Sequence, residues 1–130
     1  MADNISIIKA RTEGSATICS DAEGAEVRIG GGGPHATDLL LMAVAGCSMA
    51  VLKSLIKRDG MIAVRLDAEV EGVRSETSPK RYTDITIRYE IECPGLTDEK
   101  MHKYIKITEQ ACPVVQSLNA AIHETYKIIG

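Results

Sequence analysis

Two of the four cysteines stand where thiol chemistry has physical support. Cys112 lies in Glu109-Gln-Ala-Cys-Pro-Val-Val115, directly before a proline. Proline is tolerated at the first helical position, so Pro113 predicts a new helix with Cys112 at its N-terminal edge. Unpaired N–H groups at such an edge favour a thiolate. Cys47 is set differently, inside the longest uncharged run, Leu39-Leu-Leu-Met-Ala-Val-Ala-Gly-Cys-Ser-Met-Ala-Val-Leu52. From that setting alone it reads as core filler, because free cysteine buries readily. One buried thiol and one acidified thiol together suggest a two-cysteine redox protein.

Other chemistries find less support. Cys19 and Cys93 lie at predicted strand ends without a Cys-X-X-Cys partner, and His35, His102 and His123 show no ligand spacing, so no metal site is expected. The run Gly30-Gly-Gly-Gly-Pro34 is followed by neither the lysine of a phosphate loop nor a dinucleotide fingerprint. It reads as a connector, and no cofactor is expected.

The elements that must position the thiols follow from periodicity. Ile5–Ala10 and Ala16–Cys19 read as strands, Ser20–Gly24 as a turn, and Ala25–Ile29 as the returning strand. The apolar helix begins after the glycine run, with Thr37 as predicted N-cap and Asp38 in the first turn. Lys57-Arg58-Asp59-Gly60 ends it with cations and a glycine. Val64, Leu66, Ala68 and Val70 alternate on one strand, and Ile85, Ile87, Tyr89 and Ile91 on the next. Thr97 predicts the cap of a second helix with Met101, Tyr104, Ile105, Thr108 and Cys112 facing inward. A short helix from Pro113 to about Ile122 and a strand over Glu124–Ile129 complete the order βββ-α-ββ-αα-β. The class is α+β, with antiparallel sheets and segregated helices. A helix that is apolar all round must be buried on every side. A homodimer that sandwiches it is the simplest remedy.

Size and composition bound the rest. A chain of 130 residues predicts one domain, and 45% hydrophobic residues suffice for a core built without Trp or Phe. A net charge of −3 and a pI near 5.6 give no reason to expect nucleic acid. The uncharged run has 14 residues, too short to span a bilayer, so no membrane partner is expected. Met1–Ser6 lacks the basic and apolar regions of a signal peptide, and a cytoplasmic location is expected. Thiols are kept reduced there, which argues against structural disulfides.

Two segments carry a family resemblance. Gly33-Pro-His-Ala-Thr-Asp-Leu-Leu-Leu-Met-Ala-Val-Ala-Gly-Cys-Ser48 resembles the central-helix signature of the OsmC/Ohr family, the osmotically inducible and organic-hydroperoxide-resistance proteins. Ala111-Cys-Pro-Val-Val115 resembles its second-cysteine motif, and the element order agrees. The resemblance implies an intertwined homodimer with a thiol site at the subunit interface. It implies thiol-dependent reduction of small organic hydroperoxides, Cys47 attacking the peroxide and Cys112 resolving the product. It further implies a dithiol reductant, in one branch a lipoyl group carried on a protein. That branch has a glutamate ten residues before the first cysteine, paired with an arginine near the N-terminus. Here Thr37 stands at that position with Asp38 beside it, and Arg11 or Arg28 would be the arginine, Arg11 being preferred. A non-enzymatic dimer that binds an apolar ligand or senses redox state is the competing reading.

Overall fold

Short alternating segments broken by glycine turns build the first sheet. The structure, a computed structural model, describes residues 4–130; Met1–Asp3, where the reading for a signal peptide begins, lie outside the described residues. The chain forms two compact units, residues 1–40 and 41–130.

In the first unit, β1 (Lys9–Glu13), β2 (Ala16–Ser20) and β3 (Glu26–Ile29) form an antiparallel sheet in the order β1-β2-β3. Asp21 shapes the second turn, its carboxylate accepting from the N–H groups of Glu23 and Ala25, each at 2.9 Å. The first strand lies later than predicted. Its partner β2 has only five residues, so pairing runs from Lys9 to Glu13 and leaves Ile5, Ile7 and Ile8 exposed before it. Gly30, Gly31 and Gly32 all have positive φ, a conformation that side chains disfavour, which fits the connector reading.

Helix α1 (Ala36–Arg58) starts in the first unit and continues through the second. Leu39 N–H donates to the His35 carbonyl, so Thr37 lies inside the first turn and is not the cap. The C-terminus is as predicted. Gly60, at φ 76°, donates to Lys57 O, and Met61 N–H reaches back to Ile56 O, the paired bonds of a glycine-terminated helix.

In the second unit, β4 (Arg65–Arg74), β5 (Tyr82–Glu92) and β6 (Ala121–Ile128) form a sheet in the order β4-β5-β6. β4 and β5 pair antiparallel, but β6 runs parallel to β5, so the expectation of purely antiparallel sheets is corrected. The chain from Cys93 to Ala120 holds α2 (Asp98–Ala111) and α3 (Pro113–Gln116). That is a crossover long enough to return it to the starting end of β5, as parallel pairing requires. α3 is shorter than predicted. Pairing of Ala121, Ile122 and His123 with Asp84, Ile85 and Thr86 draws those residues into β6 instead.

Ile85, Ile87, Tyr89 and Ile91 form the central floor of this unit's core, all at most 1% exposed. Val44, Leu52, Leu55 and Ile56 of α1 pack on them, with Met101, Tyr104 and Ile105 of α2. Thr97 caps α2 as predicted, its hydroxyl accepting from Lys100 N–H at 3.2 Å. The expectation of a central helix buried on every side is not met within one chain. Met42, Ala43, Gly46 and Ala50 leave an uncharged stripe of α1 exposed. The helix itself has 23 residues and is long and apolar enough to cross a membrane by length and composition, a test that the core helix of a soluble protein also passes.

Candidate active site

Three elements bring the predicted thiols together. α1 carries Cys47 and, one residue on, Ser48; the junction of α2 and α3 carries Cys112. That junction is held from both sides. Cys112 N–H donates to Thr108 O at 3.0 Å, closing α2, and its carbonyl accepts from Gln116 N–H at 3.0 Å, opening α3 with Pro113 at its first position. Cys112 is fully buried and Cys47 partly exposed; both thiols are free.

The two thiols lie close enough to act on one another, Cys47 lowering the pKa of Cys112 and Cys112 raising that of Cys47. Ser48 Oγ donates to Cys112 Sγ at 3.7 Å. Burial opposes a charge on Cys112, yet the pull of the Cys47 thiol, the Val115 N–H, the Ser48 hydroxyl and the Val114 N–H outweighs it, and the thiol is held below its ordinary pKa. Cys47 is pushed up, by burial first and then by Cys112, against a smaller pull from the Val114 N–H. When the pair loses one proton, the charge is favoured at Cys112 and the remaining proton at Cys47.

Three further residues extend the site. Tyr89 on β5 donates a hydrogen bond to Glu124 Oε1 at 2.7 Å, and Ser48 adds a small pull toward the phenolate. Burial, then the field of Glu124, push the Tyr89 phenol far above its usual range. Burial also lifts the Glu124 carboxyl to about 7, against the Tyr89 hydrogen bond and with help from Glu109. Sequence reasoning read Tyr89 as core and gave Ser48 and Glu124 no role. A signal was available. Glu124 occupies the inward phase of a strand that otherwise places Ile122, Tyr126 and Ile128 there.

The other candidates lie in the first unit. Arg11 is engaged with carboxylates, Nη1 to Glu26 Oε2 at 2.8 Å and Nη2 to Glu13 Oε2 at 3.5 Å. Arg28 Nε donates to Gly31 O at 2.9 Å, and its Nη1 lies 3.7 Å from Glu13. Asp38 sits in the first turn of α1, where its charge suits the helix N-terminus. Cys93, in the second unit, is buried and its thiol is pushed up by that burial. Among the described residues no cluster of three or more His, Cys, Asp or Glu side chains forms a metal-binding group.

The sequence profile of the family described as OsmC-like protein matches residues 29–127, a span that holds both thiols and the helix between the two units. The chain belongs to the OsmC-like family. Protein YhfA of Escherichia coli K12 is 23% identical over 119 residues, covering 88% of this chain and 89% of its own. The fold is similar to that of an OsmC-like protein from Mycoplasma pneumoniae, with a TM-score of 0.85 and 18% identity over 98% of this chain and 99% of that one. It is also similar to an organic hydroperoxide resistance protein from Legionella pneumophila, described as a predicted redox protein, at TM-score 0.71 and 14% identity over 98% and 99% of the two chains. Within that family fold this OsmC-like chain presents two neighbouring thiols, one partly exposed and one buried with its pKa lowered.

Proposed function

We propose that this OsmC-like protein is a two-cysteine thiol peroxidase that reduces organic hydroperoxides and serves oxidative stress defence. The observation that carries the reading is the pairing of two free thiols that act on one another, Cys47 partly exposed and Cys112 buried beside the Ser48 hydroxyl, which donates to its sulfur at 3.7 Å. Access selects Cys47 as the attacking sulfur, because Cys112 has no exposed surface. As Cys47 attacks the distal peroxide oxygen, Cys112 takes its proton. The O–O bond breaks, Cys47 becomes a sulfenic acid, and the alkoxide takes that proton to leave as the alcohol. Cys112, again a thiolate, then attacks the Cys47 sulfur. An S–S bond forms, the S–O bond breaks, and hydroxide leaves to be protonated to water. An external dithiol, of the lipoyl type in the family resemblance, returns two electrons and two protons.

Arg11 and Asp38 are proposed helpers, Arg11 for an anionic oxygen and Asp38 across a subunit interface. The first must exchange its Glu26 and Glu13 partners to do so. A cytoplasmic location, which supplies dithiols, suits this reading. A homodimer suits it too. The exposed stripe of Met42, Ala43, Gly46 and Ala50 lets a second backbone approach closely, and covering it completes the burial of α1. Sedimentation at micromolar concentration is expected to give a dimer burying more than about 2,000 Å²; a folded monomer would contradict the interfacial site.

The test of function is sustained consumption of an organic hydroperoxide with a dithiol reductant. Turnover that depends on both cysteines supports the peroxidase. Its absence in folded, reduced protein would favour the non-enzymatic dimer.

A further inference from the structure

The peroxidase steps give Ser48 no task, yet its side chain points a polar group into the thiol site. Ser48 and Cys112 both lack exposed surface, and the Ser48 hydroxyl donates to Cys112 Sγ at 3.7 Å. A hydroxyl inside a helix has a nearer acceptor in the carbonyl four residues back. Thr108 on α2, also buried, takes it, donating to Tyr104 O at 2.7 Å. Ser117 does the same at Pro113 O. Ser48 has a single hydroxyl proton to give. It goes to a sulfur 64 residues away in the chain.

We propose that Ser48 is a positioning residue that sets the redox balance of the thiol pair, its buried hydroxyl holding the Cys112 sulfur in the reduced, charged state and so favouring the dithiol over the Cys47–Cys112 disulfide. The inference rests on the proposed pairing of Cys47 with Cys112. A neutral sulfur is a weak acceptor, whereas hydrogen bonds to a charged group are roughly twice as strong as neutral ones. With both side chains out of reach of solvent, water does not substitute for the hydroxyl.

In the disulfide each sulfur is bonded to carbon and to the other sulfur, and Cys112 carries no charge. An external dithiol breaks that bond and closes its own S–S bond, giving two electrons and two protons to the pair. With Cys112 held as the thiolate, one of these protons passes on to solvent. Ser48 meets a weak acceptor before this step and a strong one after it. The hydroxyl therefore stabilises the reduced side, which makes the disulfide easier to reduce. The lowered pKa of Cys112, to which Ser48 contributes, agrees in direction. Cys47 on α1 and Tyr89 on β5 are the titratable groups that act with Cys112, and the Tyr89 hydroxyl is committed to Glu124 of β6 at 2.7 Å.

Ser48→Ala tests this, since alanine suits a helix and the change removes only the hydroxyl. Wild type and variant are each equilibrated with mixtures of oxidised and reduced dithiothreitol, and the Cys47–Cys112 disulfide is quantified after thiol blocking. Above the pH at which Cys112 ionises, Ser48→Ala is expected to shift the equilibrium about tenfold toward the disulfide, a potential lower by about 30 mV. Below that pH the difference should shrink, because a neutral thiol accepts weakly in both proteins. The Cβ carbon shift of Cys112, followed in cysteine-labelled reduced protein, should place its ionisation about one pH unit higher in the variant. Ser48→Thr retains the hydroxyl and should return both readings toward wild type. Val44→Ala, one helical turn before Ser48 and equally buried, removes packing but no donor and should move neither. A disulfide in wild type, with Ser48→Ala unchanged in both equilibrium and ionisation, would overturn the proposal alone. Absence of that disulfide in wild type would remove the pairing itself, and the proposal with it.

Discussion

Replacing Cys47 with serine is expected to lower kcat/KM for an organic hydroperoxide by roughly 10³-fold or more, the scale on which enzymes lose a nucleophile. Serine keeps a donor beside Cys112 but removes the polarizable sulfur that accepts oxygen. The fold should be unaffected, since Cys47 is partly exposed and the two side chains differ by one atom. Cys112→Ser should behave differently. Its first equivalent of peroxide is still reduced at Cys47, more slowly for want of the Cys112 base, and turnover then stops because no thiol resolves the sulfenic acid. Stopped-flow consumption with and without dithiol separates the two phenotypes. Equal activity in wild type and Cys47→Ser would remove Cys47 from the chemistry.

Substrate preference gives the second large effect. Beside Cys47, α1 carries the exposed Met42, Ala43, Gly46 and Ala50 and also the half-buried Leu40, Met49 and Val51, none of them charged. Burying a methylene contributes about 0.8 kcal/mol, and hydrogen peroxide has none to bury. Two methylenes held against this surface in the transition state therefore favour a bulky hydroperoxide by at least about tenfold in kcat/KM, at roughly 1.4 kcal/mol per decade. Cumene hydroperoxide and hydrogen peroxide, compared under one dithiol, measure it. Equal rates, or faster hydrogen peroxide reduction, would contradict an apolar approach to Cys47 and leave the two-thiol chemistry standing.

What could be read in the sequence was local. Pro113 announces a helix start, and the structure places Cys112 at that boundary with its pKa lowered. The phase of Ile85, Ile87, Tyr89 and Ile91, the Thr97 cap and the Gly60 terminus are likewise set by neighbours in the chain. Direction of pairing is not. Alternation in β6 is the same whether it runs with or against β5, so only the crossover through α2 and α3 makes it parallel. The helix edge at Pro113 accounts for only part of the lowering of the Cys112 pKa. Cys47 and Ser48, distant in sequence, add donors that no local pattern displays. The bond between Tyr89 of β5 and Glu124 of β6 joins two strands and stays hidden in any window of residues, apart from the acid in an inward strand position.

The central claim is that Cys47 and Cys112 are one redox pair, and one measurement reaches it directly. Fully reduced protein is treated with one equivalent of cumene hydroperoxide, free thiols are blocked, and the peptides are mapped without reduction. The account predicts a Cys47–Cys112 disulfide as the dominant product, with Cys19 and Cys93 recovered as blocked thiols. A dominant bridge through Cys19 or Cys93, or sulfinic acid at Cys47 beside an untouched Cys112 thiol, would contradict it.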